Sequence, residues 1–353
     1  MKISKIAFAA ASALLLTTAL SNAQTTVGGN MRIGIKASSS DLTAGIGSGS
    51  RMTKETQLNV ANKGKLNIGG LDYAAGFSIE NDGSDSGAGG THYENNYINI
   101  INSSSGTTLS FSADHIKPSD VQLSDIVGAW ARVDHVAAGA ASTSAGAGVT
   151  TTIYSQISDK GSNEAFGIGL VQEFGAIGAF RVIYQPDVDE AAGALADTGG
   201  SVTGGSGSNS LYDVSFRGSL GVKGLEVLFS QNKMDGQGTD KDIKFDSQGV
   251  KYTFGQFTGA LQRADGTINT NGTTVKTKEY GLAYAASKDL TLGYTQIKSN
   301  QSNLTPEEKI KGLTVGYSLG PIALGVVAAD ITDAAGVAGQ DGKSIHLSLA
   351  ATF

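Results

Sequence analysis

The sequence predicts an all-β fold: a transmembrane antiparallel β-barrel of about 16 to 18 strands, with 18 favoured. Three observations carry this expectation. Apolar residues recur at period two along most of the chain, as in Ile345, Leu347, Leu349, Ala351 and Phe353 against Ser344, His346, Ser348, Ala350 and Thr352. The alternating runs are about 9 to 12 residues long, where a soluble strand has about 5 or 6 and a tilted membrane-crossing strand about 9 to 11. Connections between the runs are alternately short and long, the pattern of hairpins whose two ends face different compartments.

Lys2 and Lys5 precede an apolar run from Ile6 to Leu20, and Ser21-Asn22-Ala23 supplies small residues at a cleavage site. Residues 1–23 are therefore expected to be a removed signal peptide, and 24–353 a single barrel domain. The apolar run is short of the roughly 20 residues that a spanning helix needs, and no later stretch reaches 18. Without Lys2 and Lys5 the formal charge falls from −6 to −8, which speaks against a nucleic-acid partner. The chain has no cysteine, so thiolate metal sites and thiol chemistry are excluded.

From Val27 onward the alternation repeats: Met31/Ile33/Ile35, Tyr73/Ala75/Phe77/Ile79, Leu109/Phe111, Phe166/Ile168/Leu170, Phe180/Val182/Tyr184 and Tyr212/Val214/Phe216. It continues through Val250/Tyr252/Phe254, Tyr280/Leu282/Tyr284, Leu292/Tyr294, Leu313/Val315/Tyr317 and Leu324/Val326 to the final strand. Strands are also expected at 66–80, 129–137 and 149–158, the last two flanking the low-complexity stretch 137–148. Gly175-Ala176, Gly255-Gln256, Ser287 to Asp289 and Gly320-Pro321 mark short turns. Tyr184, Tyr212, Tyr252, Tyr280, Tyr284, Tyr294 and Tyr317 share the apolar parity, as the aromatic girdles of a membrane barrel would. A soluble repetitive β-protein is the competing reading, and the strand lengths weigh against it.

The opening strand "TTVGGNMRIGIKA", the hairpin "LDYAAGFSIEND" and the closing "SIHLSLAATF" resemble the general (non-specific) porins of Gram-negative bacteria. The resemblance covers the whole chain in layout, with the C-terminal strand as its specific motif. It implies a trimer of water-filled barrels in the outer membrane, each narrowed by an inward-folded third external loop and passing ions and small hydrophilic solutes. It also implies that Ile345, Leu347, Leu349 and Phe353 form a signal read by the barrel-assembly machinery. The implied partners are outer-membrane lipid, that machinery, two further copies of the chain and the solutes.

The candidate pore residues follow from strand parity and from the placement of the loop. Arg32, Arg181 and Arg217 lie on the polar face of their strands, and Arg51 and Arg132 are assigned there too; Glu55, Glu80, Asp213 and Glu226 are inward carboxylates on the same logic. Asp114, Asp120 and Asp125 belong to "DHIKPSDVQLSDIVG", where the resemblance puts the constriction loop. The Pro-Glu-Phe-Gly-Gly loop motif of enterobacterial porins is absent, so no eyelet position transfers directly. Basic wall groups facing acidic loop groups would set a transverse field that filters ions. No catalytic constellation emerges: His346 shares a face with Ser344 and Ser348 but has no orienting third group, so no enzyme activity and no cofactor are expected. The Asp-rich segment 80–90 lacks the spacing of a calcium loop, so no metal is expected either. A substrate-selective channel, and further off a surface adhesin or receptor barrel, are the alternative functions; no loop is long enough for a separate receptor domain.

Overall fold

The computed structural model describes residues 23–40, 49–66, 68–83, 91–113, 166–186, 210–235, 242–267, 274–302 and 305–353. The first eight strands are β1 (Gln24–Ser40), β2 (Gly49–Lys65), β3 (Asp72–Gly83), β4 (Thr91–Asn102), β5 (Thr107–Ala113), β6 (Phe166–Glu173), β7 (Ala179–Gln185) and β8 (Leu211–Gly218). The second eight are β9 (Leu225–Met234), β10 (Ile243–Phe254), β11 (Phe257–Thr267), β12 (Thr274–Ala285), β13 (Leu290–Gln301), β14 (Glu308–Leu319), β15 (Ile322–Thr332) and β16 (Gly342–Thr352). Each strand pairs antiparallel with its sequence neighbours, and β1 pairs with β16 to close the ring. Closure leaves no sheet edge, so every strand finds hydrogen-bond partners on both sides.

The barrel therefore has 16 strands, the lower end of the expected range, and not the favoured 18. The reason is that β5 bonds directly to β6, with Ala113 opposite Phe166, so the wall has no gap between them. The expected strands 129–137 and 149–158 fall between these two neighbours and lie outside the described residues. A second correction concerns 66–80. The strand starts at Asp72, because Gly69 and Gly70 take the left-handed conformation (φ 61° and 72°) and turn the chain. Leu66 N–H donates to Leu71 O, and Leu71 N–H to Ile68 O, closing this turn.

Connections after even-numbered strands are tight turns such as 255–256 and 320–321, and the longest stretches between strands, 114–165 and 186–210, follow odd-numbered ones. One rim of the barrel thus carries the turns and the other the loops. The seam is held at the turn rim by Gly29 N–H donating to Phe353 O (2.9 Å) and Phe353 N–H donating to Gly29 O (3.0 Å). Gly29 is required there. A Cβ would lie 2.5 Å from the Gln57 carbonyl oxygen and 2.7 Å from the Phe353 ring.

Parity sorts the side chains as period two demands. Outward residues are apolar from the turn rim upward: Tyr284, Leu282 and Tyr280 on β12; Leu292 and Tyr294 on β13; Tyr317, Val315 and Leu313 on β14; Leu349, Leu347 and Ile345 on β16. All seven expected girdle tyrosines face outward and are exposed. An outward apolar band of this kind, with tyrosines among its members, is the surface a barrel presents to hydrocarbon. Towards the loop rim the outward sequence changes character within one step, from Tyr280 to Lys278, from Tyr294 to Gln296 and Lys298, and from Leu313 to Lys311 and Lys309.

The inward face inverts over the same height. Phe245, Val275, Ile297, Ile310 and Ile331 point inward near the loop rim and are buried. Apolar residues thus share the inner face of these strands with polar ones. The strands are longer than the apolar band, and beyond it the outward position meets a polar medium, so apolar residues do better inside.

Candidate functional site

The candidate site is the inner wall, and two charged groups define it. On β1 to β3, Arg32 and Glu55 stand opposite one another in register and form an ion pair of 2.9 Å, with the Arg32 side chain 36% exposed. The polar ladder continues sideways. Asn30 donates to Gln57 Oε1 (3.0 Å), and Gln57 donates to Glu80 Oε2 (3.1 Å). Ser78 donates to Asn59 Oδ1 (2.6 Å) beside it. On the seam side, buried His346 shares a hydrogen bond with Thr53 Oγ1 at 3.2 Å through its Nε2. That pairing makes the histidine a structural member of a hydroxyl-lined wall.

The second group lies on β8 to β10. Glu226 is bridged by Arg217 from one neighbouring strand and by Lys251 from the other. The register brings them together: Arg217 is opposite Leu228, one inward step from Glu226, and Lys251 is directly opposite Glu226. One carboxylate thus meets two cations, leaving a local excess of positive charge. In the ring order β1 and β9 are eight strands apart, so the two groups face each other across the lumen. Arg181 on β7 also points inward and is exposed, next to Ser215 in register.

The fate of each expected pore residue is therefore specific. Arg32, Arg181 and Arg217 are on the inner wall, and Arg32 and Arg217 are ion-paired. Arg51 sits on β2 opposite inward Lys36, which places it at an inward register position; its side chain is outside the description. Asp114, Asp120, Asp125 and Arg132 lie outside the described residues. The four carboxylates Glu55, Glu80, Asp213 and Glu226 all occupy inward positions. Asp213 is buried opposite Ile183 and Asn232. Ile345, Leu347 and Leu349 face outward, and Phe353 sits at the seam.

Sequence reasoning missed Lys251, whose inward parity on β10 could have been read from Val250 and Tyr252 on either side. Among the described residues no cluster of His, Asp and Glu is arranged to hold a metal ion.

A closed antiparallel barrel with an apolar exterior and charges on opposed inner walls defines a class, the porin-fold barrels, and solved structures agree. The chain is similar to a mutant of the Rhodopseudomonas blastica porin that carries one added tryptophan, at 15% identity and a TM-score of 0.62; the match covers 94% of this chain and 100% of that one. A triple mutant of the same porin gives 15% identity and 0.60 over the same shares. A structure described as "Asymmetric conductivity of engineered proteins" gives 16% and 0.60, again over 94% and 100%. At these identities the likeness shows the fold. No protein-family model matches the sequence, and no curated protein matches it.

Proposed function

We propose that this chain forms a water-filled outer-membrane channel for passive diffusion of ions and small hydrophilic solutes. The single observation that carries the reading is the pairing of an outward apolar band with inward, solvent-facing charges on opposite walls of one closed barrel. A lumen lined this way wets, and its outer surface favours hydrocarbon. Arg217 and Lys251 on one wall and the Arg32–Glu55 pair on the other impose a transverse field on whatever crosses. Segment 114–165, the third connection at the loop rim, is assigned as the constriction loop, with Asp114, Asp120 and Asp125 as its acidic groups. Export by residues 1–23, recognition of the terminal strand by the assembly machinery, homotrimer formation and residence in the outer membrane of a Gram-negative bacterium belong to the same proposal.

The test is single-channel recording in planar bilayers. Stepwise conductance is expected, with a reversal potential that moves towards cations in Arg217→Gln/Lys251→Gln and towards anions in Asp120→Asn/Asp125→Asn. Absence of channels from a folded, heat-modifiable barrel would overturn the reading. Channels whose reversal potential ignores Asp120 and Asp125 would remove the constriction-loop assignment alone.

A further inference from the structure

Above the apolar band, the outer wall of β11 to β14 carries a row of like charges. Arg263, Lys278, Lys298 and Lys309 are directly opposite one another in register across four adjacent strands. All four are on the outward parity, shared with Leu261, Tyr280, Tyr294 and Leu313. Lys276 stands one outward step above Lys278 towards the loop rim, and Lys311 one step below Lys309 towards the turns. Directly opposed side chains in a sheet are close neighbours, and like charges so placed are destabilising.

Carboxylates on this wall are fewer than the cations. Asp265 is engaged by Arg263 and stands directly opposite Lys276 in register, and Asp246 on β10 stands opposite Asp265. Glu307, beyond β13, shares a concavity with Lys276, Lys278 and Lys298, and Asp330 on β15 stands between Lys311 and Lys343 in register. Among the described residues, Lys276, Lys278, Lys298, Lys309 and Lys311 make no ion pair with a carboxylate.

A second observation lies directly below. A groove of about 420 Å³ runs down the outer wall, floored by Phe229, Val250 and Leu261, flanked by Tyr280 and capped by Arg263 and Lys278. Cations at the top of an apolar trough match one chemistry: acyl chains below and an anionic head above. The height agrees, since the row begins where the outward side chains stop being apolar, at the level of lipid head groups.

We propose that the outer wall of β11 to β14 is a binding site for a phosphate-bearing lipid of the leaflet at the loop rim. The phosphates lie along Arg263, Lys278, Lys298 and Lys309, and an acyl chain fills the groove under Arg263. Phosphate is the favoured anion because its oxygens can accept hydrogen bonds from several ammonium groups at once while relieving their mutual repulsion. Free phosphate would satisfy the cations but leave the groove empty. This site rests on the membrane-barrel reading, yet it makes no use of the lumen, so its failure and that of the channel are read separately.

The experiment uses the folded barrel in neutral detergent, titrated with phosphatidic acid, phosphatidylcholine of the same chains, and inorganic phosphate. Bound lipid is counted by native mass spectrometry, and barrel melting is followed by gel mobility. Phosphatidic acid is expected to bind and raise the melting temperature, with phosphatidylcholine and inorganic phosphate far weaker. Lys278→Gln/Lys298→Gln should weaken phosphatidic acid about thirtyfold, since each lysine near a charged membrane surface contributes roughly a factor of five. Lys223→Gln/Lys288→Gln at the turn rim should change nothing.

The same Lys278/Lys298 variant should melt higher than the parent without lipid and lower with it, a reversal that a merely structural role would not produce. Undiminished phosphatidic acid binding by the variant would overturn the proposal, as would inorganic phosphate binding as tightly as the lipid. If the variant fails to fold, parent binding that does not weaken from 50 to 500 mM salt overturns it equally.

Discussion

Leu282→Arg tests the assignment of the outer surface most directly. Leu282 faces outward on β12 and is 55% exposed, with Gly259 and Tyr294 opposite it in register. The band on this strand is bounded by Lys278 on one side and the turn after Ala285 on the other, each about four residues away. Four residues of a strand tilted by about 40° rise about 10 Å, and the apolar band of such barrels is about 25 Å tall, so Leu282 is near the midplane. An arginine there is expected to cost about 2–4 kcal/mol, and the same substitution at Tyr280, next to the boundary, about 1 kcal/mol or less. Gly281, inward between Ala260 and Thr295, should accept serine for roughly 0.5 kcal/mol. Urea unfolding in lipid vesicles, followed by circular dichroism, should move the Leu282→Arg midpoint down by on the order of 1 M. Equal costs at 280, 281 and 282 would mean that the outward face of β12 does not meet hydrocarbon.

Glu226→Gln leaves Arg217 and Lys251 uncompensated on the inner wall. The reversal potential should move towards anion preference at low salt, and the shift should shrink at about 1 M salt, where the Debye length is about 3 Å. An unchanged reversal potential would place this trio outside the conduction path. Gly29→Val forces its side chain against the Gln57 carbonyl and the Phe353 ring, an overpacking expected to cost about 1–3 kcal/mol and to lower the heat-modifiable fraction. A normal folded yield would show that the seam tolerates bulk. Removing Phe353 should leave synthesis and export intact but reduce the folded barrel in the membrane; normal folded levels would remove its role in assembly.

Strand positions and faces were legible because period two is written locally: the residues that face outward from β12 to β16 are those whose alternation is visible in the sequence. The strand count was not. Residues 129–137 and 149–158 alternate like wall strands, but membership in the wall is decided by the pairing of Ala113 with Phe166 across more than fifty positions of chain. The turn at Gly69-Gly70 was missed although Leu66 and Ile68 keep the parity of Leu58 and Val60 and fall out of step with Tyr73, Phe77 and Ile79, a break in period that marks it. Pairings were equally out of reach, since Arg32 finds Glu55 through the β1–β2 register and not through spacing. The inversion near the loop rim, with Ile297 inward and Lys298 outward, was not legible because alternation alone does not say where the apolar medium ends.

The seam has a kinetic consequence. Fifteen of the sixteen strand contacts join sequence neighbours, while β1 and β16 are separated by nearly the whole chain. Loop-closure entropy makes the hairpin contacts accessible early and the seam contact late. Until that last pairing the sheet is open, however many hairpins have formed, and it presents two unpaired edges at which another chain could dock. The rate-limiting event is therefore expected at the seam. Destabilising substitutions on β1 or β16 should slow folding, while those on β8 and β9, diametrically opposite, should chiefly hasten unfolding.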